Sequence, residues 1–156
     1  MVANRSASQD LITELAGSIG SDYVLTDESE RDFYAMDVYS QRELPLAVVQ
    51  PGSLEDVVEI ARIAAAADVA LVPRGGGASY TDAYLPDTAQ SLLIDTQRMN
   101  RILEINAEDM YVTVEPGVTW AELTAQLNEQ GLRTPFWGPF SGLKATVGGS
   151  MSQNSV

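Results

Sequence analysis

Three consecutive glycines, Gly75 to Gly77, follow the apolar run from Val69 to Val72 within the sequence PRGGGASY. Glycine loses more backbone entropy on folding than any other residue, so a triplet at the end of a buried strand needs a local benefit that side chains would obstruct. A ligand that touches the main chain would supply this benefit. A tight turn that holds no ligand is the alternative interpretation.

The residues before the glycines predict a strand, a helix and a second strand. The first strand covers residues 46–50, and Ser53 and Asp56 then have capping-box spacing. Such a βαβ unit normally forms a right-handed crossover in a parallel sheet. The glycines would then lie at the carboxyl end of the second strand, where open α/β sheets bind ligands. The helix has apolar residues at helical spacing, namely Leu54, Val57, Val58, Ala61 and Ala65.

The other segments predict further helices and a β-hairpin. A helix from Ser6, at capping-box spacing to Gln9, runs to Gly20. The pattern of residues 27–42 does not decide between a helix and a loop.

Strands are predicted to begin near Ser91, Arg101 and Met110, and the last two are joined by a turn at residues 106–109. A helix capped by Thr119 ends at Gly131, whereas residues 134–156 predict no helix or cap, and we expect a chain that is cut short. The two helices bury Leu11, Ile12, Leu15 and Ile19, and Trp120, Leu123 and Leu127, respectively.

Charge and composition argue against several classes of function. The chain has 9 basic and 22 acidic residues, and its net charge of −13 repels nucleic acid and anionic lipid surfaces. It contains no cysteine and no histidine, so we expect no disulfide, no metal site and no serine triad. The first residues lack the apolar region of a signal peptide, and no apolar run approaches the roughly 18 residues of a membrane span. We therefore expect a cytoplasmic protein without an integral membrane segment.

The glycine loop does not fit the common nucleotide-binding motifs. A GxGxxG motif needs a third glycine and a helix directly behind it, but Tyr80 and the sequence TDAYLPD stand there. No Gly-Lys-Ser/Thr follows, which excludes a phosphate loop. The remaining interpretation is a nest, in which consecutive amides from Gly75 to Ser79 converge on an anion. Arg74 either contacts that anion or has a structural role, and we favour the structural role.

Two further segments have the same character. Thr146, Ser150, Ser152 and Asn154 surround a second glycine pair, Gly148 and Gly149. Pro116 and Gly117 follow a predicted strand. Three sites that expose the backbone at strand ends suit an extended ligand better than an isolated phosphate.

These segments, taken in order, resemble the FAD-binding domain of the vanillyl-alcohol oxidase and para-cresol methylhydroxylase type. The resemblance covers residues 44–156 and is strongest to FAD-linked D-2-hydroxyacid dehydrogenases, such as those acting on D-lactate or glycolate. It rests on AVVQPGSLEDVVEIARIA, VPRGGGAS, LLIDTQRMNRILEIN, VTVEPGVTWAELTAQL and ATVGGSMSQNS.

The resemblance implies an α+β fold. A βαβ subdomain with a short parallel sheet would be followed by the start of a second, mostly antiparallel β subdomain. Residues 1–43 would form an N-terminal helical segment, and residues 44–156 a flavin domain that is incomplete at its C-terminus.

The resemblance also implies an FAD-dependent oxidoreductase that oxidises a D-2-hydroxy acid by hydride transfer to flavin N5. FAD would be noncovalent, because Ala78 stands where covalent relatives carry a histidine in the first glycine loop. The partners would be a small-molecule substrate and an electron-acceptor protein or quinone; no catalytic residue is assigned. The predicted cofactor-binding residues are Arg74, Gly75, Gly76, Gly77, Ala78, Ser79, Pro116, Gly117, Thr146, Gly148, Gly149, Ser152 and Asn154.

Two alternatives remain open from the sequence. One is a nucleotide-binding module without redox chemistry, and the other is another alcohol oxidase or reductase with the same flavin domain. For individual side chains we expect ordinary roles: solvated or capping carboxylates at Asp95 and Glu115, and surface or cap positions at Asp37 and Tyr39. Core packing is expected for Phe136, Trp137 and Phe140, and solvent exposure for Lys144.

Overall fold

The computed structural model describes residues 2–138 and 142–155, and the chain divides into two units. The first unit contains Met1–Pro73 and Ser79–Asp95, and the second contains Arg74–Ala78 and Thr96–Val156. The glycine loop is Arg74 to Ser79, and its first five residues, Arg74–Ala78, belong to the second unit, although the residues on both sides of those five belong to the first.

The first unit combines three helices with a four-stranded sheet. The helices are α1 (Val2–Ile19), α2 (Glu28–Tyr34) and α3 (Leu54–Ala66). The strands are β1 (Val24–Leu25), β2 (Ala47–Val49), β3 (Ala70–Arg74) and β4 (Ser91–Asp95), with a 3-10 turn at Ser21–Tyr23; the final residue of β3, Arg74, already belongs to the second unit.

Helix α1 is longer than the sequence pattern predicts. It begins at Val2, so the predicted start at Ser6 is wrong, whereas the predicted stop is confirmed because Gly20 has φ +95 and ends the helix. Its predicted apolar face is confirmed as well. Leu11, Leu15 and Ile19 are buried in the core of the first unit, and Ile12 packs against that core.

Residues 27–42, which the pattern leaves open, form helix α2 and a loop. Asp27 begins the helix, because its Oδ1 accepts the N–H groups of Ser29 at 2.9 Å and Glu30 at 3.4 Å. Hydrogen bonds from Ser29, chiefly from its hydroxyl, lower the pKa of Asp27. In the loop, Asp37 Oδ1 accepts the amides of residues 39 and 40, and Tyr39 is exposed, so the expected cap and surface roles are confirmed.

The sheet of the first unit has the order β1-β2-β4-β3. Strand β2 pairs with β4 in parallel, with Val48 opposite Leu93, and β1 pairs with β2 in antiparallel orientation. The strand–helix–strand unit predicted from the sequence is present, but its two strands are not neighbours, because β4 is inserted between them.

Helix α3 begins as predicted but buries a different face. Ser53 Oγ accepts the amide of Asp56 at 3.1 Å, while the Asp56 carboxylate accepts the amide of Gly52 at 2.8 Å. Of the predicted apolar residues, Leu54 and Val58 are more than half exposed. The predicted stripe is therefore wrong in part, and the core takes Ile60, Ile63 and Ala64 instead.

Within its described residues, the second unit contains a hairpin and two α-helices. Strands β5 (Ile102–Asn106) and β6 (Tyr111–Val114) are antiparallel, and Asn106 Oδ1 accepts the amides of Glu108 and Asp109 in the predicted turn. Helix α4 (Trp120–Asn128) has the predicted capping box at Thr119 and Glu122. A short helix, α5 (Val147–Ser152), replaces the predicted unstructured end because Thr146 caps it. A 3-10 turn at Thr96–Arg98 precedes the hairpin.

The core of the second unit lies between the hairpin and α4. Val118, Leu123 and Leu127 are buried, and side chains of β5 and β6 pack against them. The predicted mixture of a short, partly parallel sheet and an antiparallel pair is thus present. The boundary predicted between residues 43 and 44 stays a prediction, and α1 shares one core with β2 and α3. None of the described helices is long and apolar enough to cross a membrane.

We expect Leu15→Ala to lower the free energy of unfolding of the first unit by about 2–5 kcal/mol, because Leu15 is completely buried and its removal leaves a cavity. Urea unfolding followed by circular dichroism would measure the change. The matched control is Leu54→Ala, which removes the same atoms from an exposed helical position and should change stability by no more than about 0.5 kcal/mol. Equal effects of the two substitutions would contradict the assigned core.

Candidate functional site

The second unit brings the three predicted backbone-exposing segments together. A Cβ atom at Gly75 would overlap the side chain of Thr146, and one at Gly76 would overlap the carbonyl of Lys144. A Cβ atom at Gly148 would lie 2.8 Å from Cα of Pro116. Gly76 and Gly148 are therefore required for close packing of main chain against main chain, and Gly75 is required for packing against the side chain of Thr146.

The glycine loop has amides that the described residues do not use. Outside the helices and strands, no backbone hydrogen bond between described residues has the N–H of Gly76 or Ala78 as its donor. Gly77 has φ +64, a left-handed conformation that favours glycine. Consecutive amides with a left-handed residue among them form the concave arrangement that binds anions. The loop can therefore accept an anionic group on its main chain.

The second glycine segment is not a second set of open amides. The N–H groups of Val147 and Gly148 donate to the carbonyls of Val118 at 2.8 Å and Pro116 at 3.1 Å, and that of Gly149 donates to Thr146 Oγ1 at 3.2 Å. The expectation that this segment exposes its backbone is wrong, because residues 147–152 form a helix whose first amides have partners within the chain.

The turn at Pro116 and Gly117 is also closed. Gly117 is buried, and its N–H donates to the carbonyl of Met99 at 2.8 Å. A Cβ atom there would overlap the carbonyl of Thr96. The expected exposure of this turn is wrong too, because the turn packs against the 3-10 turn at Thr96–Arg98.

The polar side chains near α5 divide into buried and exposed groups. Thr146 is buried as the helix cap, and Ser150 Oγ accepts the indole N–H of Trp120 at 2.8 Å. Ser152 and Asn154 are exposed. Ser79 belongs to the first unit, where its hydroxyl shares a hydrogen bond with Thr81. Its predicted place beside the other loop residues remains a prediction.

The two units differ strongly in charge. The first unit has 16 of the 22 acidic residues and 4 of the 9 basic ones, whereas the second has 6 acidic and 5 basic residues. The second unit is therefore close to neutral. The net charge of −13 therefore comes almost entirely from the first unit, and the unit that holds Gly75–Ala78 contributes little of it.

Two carboxylates at strand ends are buried, so the expectation that Asp95 and Glu115 are solvated is wrong. In the first unit, Asp95 Oδ2 accepts hydrogen bonds from Tyr34 Oη at 2.8 Å and Gln50 Nε2 at 2.9 Å. In the second unit, Glu115 accepts the backbone amide and the guanidinium of Arg101. Hydrogen bonds from the Arg101 guanidinium lower the pKa of Glu115, and this effect is larger than that of burial, which raises the pKa.

The expected roles of the aromatic residues and the lysine have mixed outcomes. Phe136 is partly buried and packs edge-on against Trp120, with ring centroids 5.1 Å apart. Trp137 is 56% exposed, so core packing is wrong for it. Phe140 lies outside the described residues. Lys144 is exposed as expected, but its carbonyl lies against Gly76, a contact for which the sequence has no local signal.

A family model matches this chain, and several curated relatives do as well, among them the two that follow. Residues 45–156 match the FAD binding domain family. The 1'-carboxy-chondrochloren decarboxylase of Chondromyces crocatus is 34% identical over 139 residues, covering 88% of this chain and 24% of that protein. The glycolate oxidase subunit GlcD of Bacillus subtilis (strain 168) is 30% identical over 149 residues, covering 95% of this chain and 31% of that protein. The chain thus spans about a quarter to a third of the length of these relatives.

Among solved structures, p-cresol methylhydroxylase with substrate bound matches with a TM-score of 0.86. The match covers 97% of this chain and 30% of that chain, at 21% sequence identity. This similarity concerns the fold, and it confirms the predicted fold class.

We expect Gly148→Ala to destabilise the flavin-free protein by about 1–3 kcal/mol, because the new methyl group would collide with the main chain of Pro116. The neighbouring Gly149→Ala is the matched control, since a Cβ there meets only Thr146 Oγ1, at 3.1 Å. It should remain within about 1 kcal/mol of the parent, because alanine favours the helix. Thermal unfolding would measure both, and equal losses would contradict the packing described.

We expect Glu115→Gln to lower stability at pH 7 by about 1–2 kcal/mol, through the loss of charge-assisted hydrogen bonds to Arg101, which is itself largely exposed. Because folding lowers the pKa of Glu115, its contribution is complete above the ordinary value of about 4.3 and is lost as the pH falls through the folded value.

The difference between parent and Glu115→Gln should therefore be largest near neutral pH and shrink in acid. Urea unfolding at a series of pH values would measure it. Glu108→Gln changes an exposed carboxylate in the hairpin turn and serves as the control. A difference that stays constant down to pH 3 would contradict the assignment.

Proposed function

The chain belongs to the FAD-binding domain family, and from this membership we propose that the glycine loop, Arg74 to Ser79, binds the diphosphate of FAD through main-chain amides. The observation that supports this proposal most directly is the pair of amides at Gly76 and Ala78 without a backbone partner among the described residues. Amide N–H groups bind phosphate oxygens without the need for lysine.

The donor set fits an anionic dinucleotide. No acidic side chain lies within residues 74–79, and the unit that holds Gly75–Ala78 is close to neutral. A hydroxyl at Ser79 and the exposed side chains of Ser152 and Asn154 are further donors that the proposal assigns to the cofactor.

The other predicted residues have a supporting role in this proposal. Pro116 packs against Gly148, and Thr146 packs against Gly75 and Gly149. Gly117 packs against the turn at Thr96–Arg98 instead.

The proposal includes a noncovalent cofactor. The chain has no histidine and no cysteine, so neither an imidazole nor a thiol of this chain attaches the flavin, and the loop carries Ala78. The FAD-loaded protein would be precipitated with trichloroacetic acid. FAD in the supernatant would support noncovalent binding, and flavin that remains in the pellet would contradict it.

We further propose that this domain serves an oxidoreductase acting on a D-2-hydroxy acid such as D-lactate or glycolate. The support is the similarity to the glycolate oxidase subunit GlcD. FAD, when bound, would supply the acceptor for a hydride from the carbon that bears the hydroxyl. This chain's residues would bind and orient the cofactor, and an electron-acceptor protein or quinone would reoxidise it.

A second candidate reaction is favoured by a specific observation. The Chondromyces crocatus relative is named a decarboxylase, and the second candidate is therefore a reaction at a carboxylated substrate in which the same domain holds FAD. Anaerobic mixing of D-lactate, glycolate or L-lactate with the FAD-loaded full-length protein that contains this domain tests the hydroxyacid proposal. Loss of the visible flavin absorbance with the first two alone would support the hydroxyacid proposal, and the absence of any loss would contradict it.

We expect Ala78→Asp to weaken FAD binding about tenfold or more, because a carboxylate at the loop repels the diphosphate. Quenching of flavin fluorescence on titration of FAD with protein would measure Kd. The control is Ala78→Asn, which has the same shape without the charge and should keep most of the affinity. Equal Kd values for the two variants would contradict anion binding at this loop, and a parent protein that binds no FAD would overturn the proposed function.

A further inference from the structure

The side chain of Arg74, the first residue of the glycine loop, packs against Gly77. It is only 8% exposed. Its guanidinium occupies the space in which a side chain at Gly77 would lie, because a Cβ atom there would be 2.8 Å from Cζ of Arg74 and would overlap Nη2. Arg74 and Gly77 thus form one packed element within the second unit.

The contact and the backbone conformation depend on the same residue. Gly77 has φ +64, a backbone conformation that is energetically unfavourable for residues with a side chain. The absence of a side chain at Gly77 also leaves room for the guanidinium of Arg74. A planar guanidinium held in this way restricts the conformations of the loop. A loop that is ordered before binding loses less conformational freedom when the ligand arrives.

The main chain of Arg74 is held as well. Thr96 Oγ1 donates a hydrogen bond to the carbonyl of Arg74 at 3.2 Å. The next residue, Gly75, packs against Thr146. Arg74 is therefore fixed at its carbonyl and along its side chain by residues of one unit.

We propose that Arg74 is a positioning residue, whose guanidinium holds the left-handed turn at Gly77 and presets the loop amides for the diphosphate of FAD. This inference rests on the proposed function, because it assumes that the loop binds FAD. It differs from a direct contact, in which the guanidinium donates its own hydrogen bonds to phosphate.

A double-mutant cycle in FAD affinity tests the inference. The variants are R74M, which keeps the length and loses the planar charge, G77A, and the combination of the two. We expect R74M and G77A each to raise Kd about tenfold, and G77A to raise it much less in the R74M background, because the collision with the guanidinium is then absent. R133M removes an exposed arginine from the same unit and should leave Kd unchanged.

The R74K variant distinguishes positioning from direct contact. Lysine keeps the charge but lacks the planar group, so it should fail to restore affinity if Arg74 acts through Gly77. Restoration by R74K, additive effects in the cycle, or an unchanged Kd for R74M would each overturn the inference. A parent protein that binds no FAD would instead mean that the proposed function has failed.

Folding of every variant would be checked by circular dichroism and thermal unfolding. If R74M does not fold, the FAD affinity of R74K is used for the test instead. Native circular dichroism with reduced FAD affinity supports the inference, and native affinity overturns it.

Discussion

Close approach of main chain to main chain is the constraint on which the candidate site depends. Gly75 and Gly76 lie so near the segment from Lys144 to Thr146 that no side chain fits between them. Gly148 stands in the same relation to Pro116. Three segments far apart in sequence thereby become one structure, and the loop is held from behind while the amides of Gly76 and Ala78 keep no backbone partner among the described residues.

Glycines can thus have two roles, contact with a ligand and contact with another part of the chain, and a sequence pattern cannot distinguish them. A run of glycines indicates that another group comes close to the backbone, but it does not indicate whether that group is a ligand or another part of the chain. At Gly148 and Gly117 it is another part of the chain. Only in the loop are both present, since glycine there permits packing on one side and leaves amides without a backbone partner among the described residues.

Features determined by neighbouring residues could be predicted, and features determined by distant ones could not. The caps at Ser53 and Thr119 and the hairpin turn at Asn106 follow from side chains that bond their own backbone a few residues away. The buried face of α3 was predicted wrongly in part, because apolar residues occur on two sides of that helix and packing partners select between them. The burial of Glu115 depends on Arg101, fourteen residues earlier, and no local pattern marks that pair.

The strand order of the first unit bears on how the protein forms during synthesis. Strands β2 and β3 emerge with a vacant place between them, which β4 fills only after about twenty more residues. Until then β2 lacks its parallel neighbour, and the edge of Val48 and Val49 that β4 later covers is open to pairing with another chain. This edge closes only once residues 91–95 have been synthesised, so β2 stays exposed to aggregation until that point.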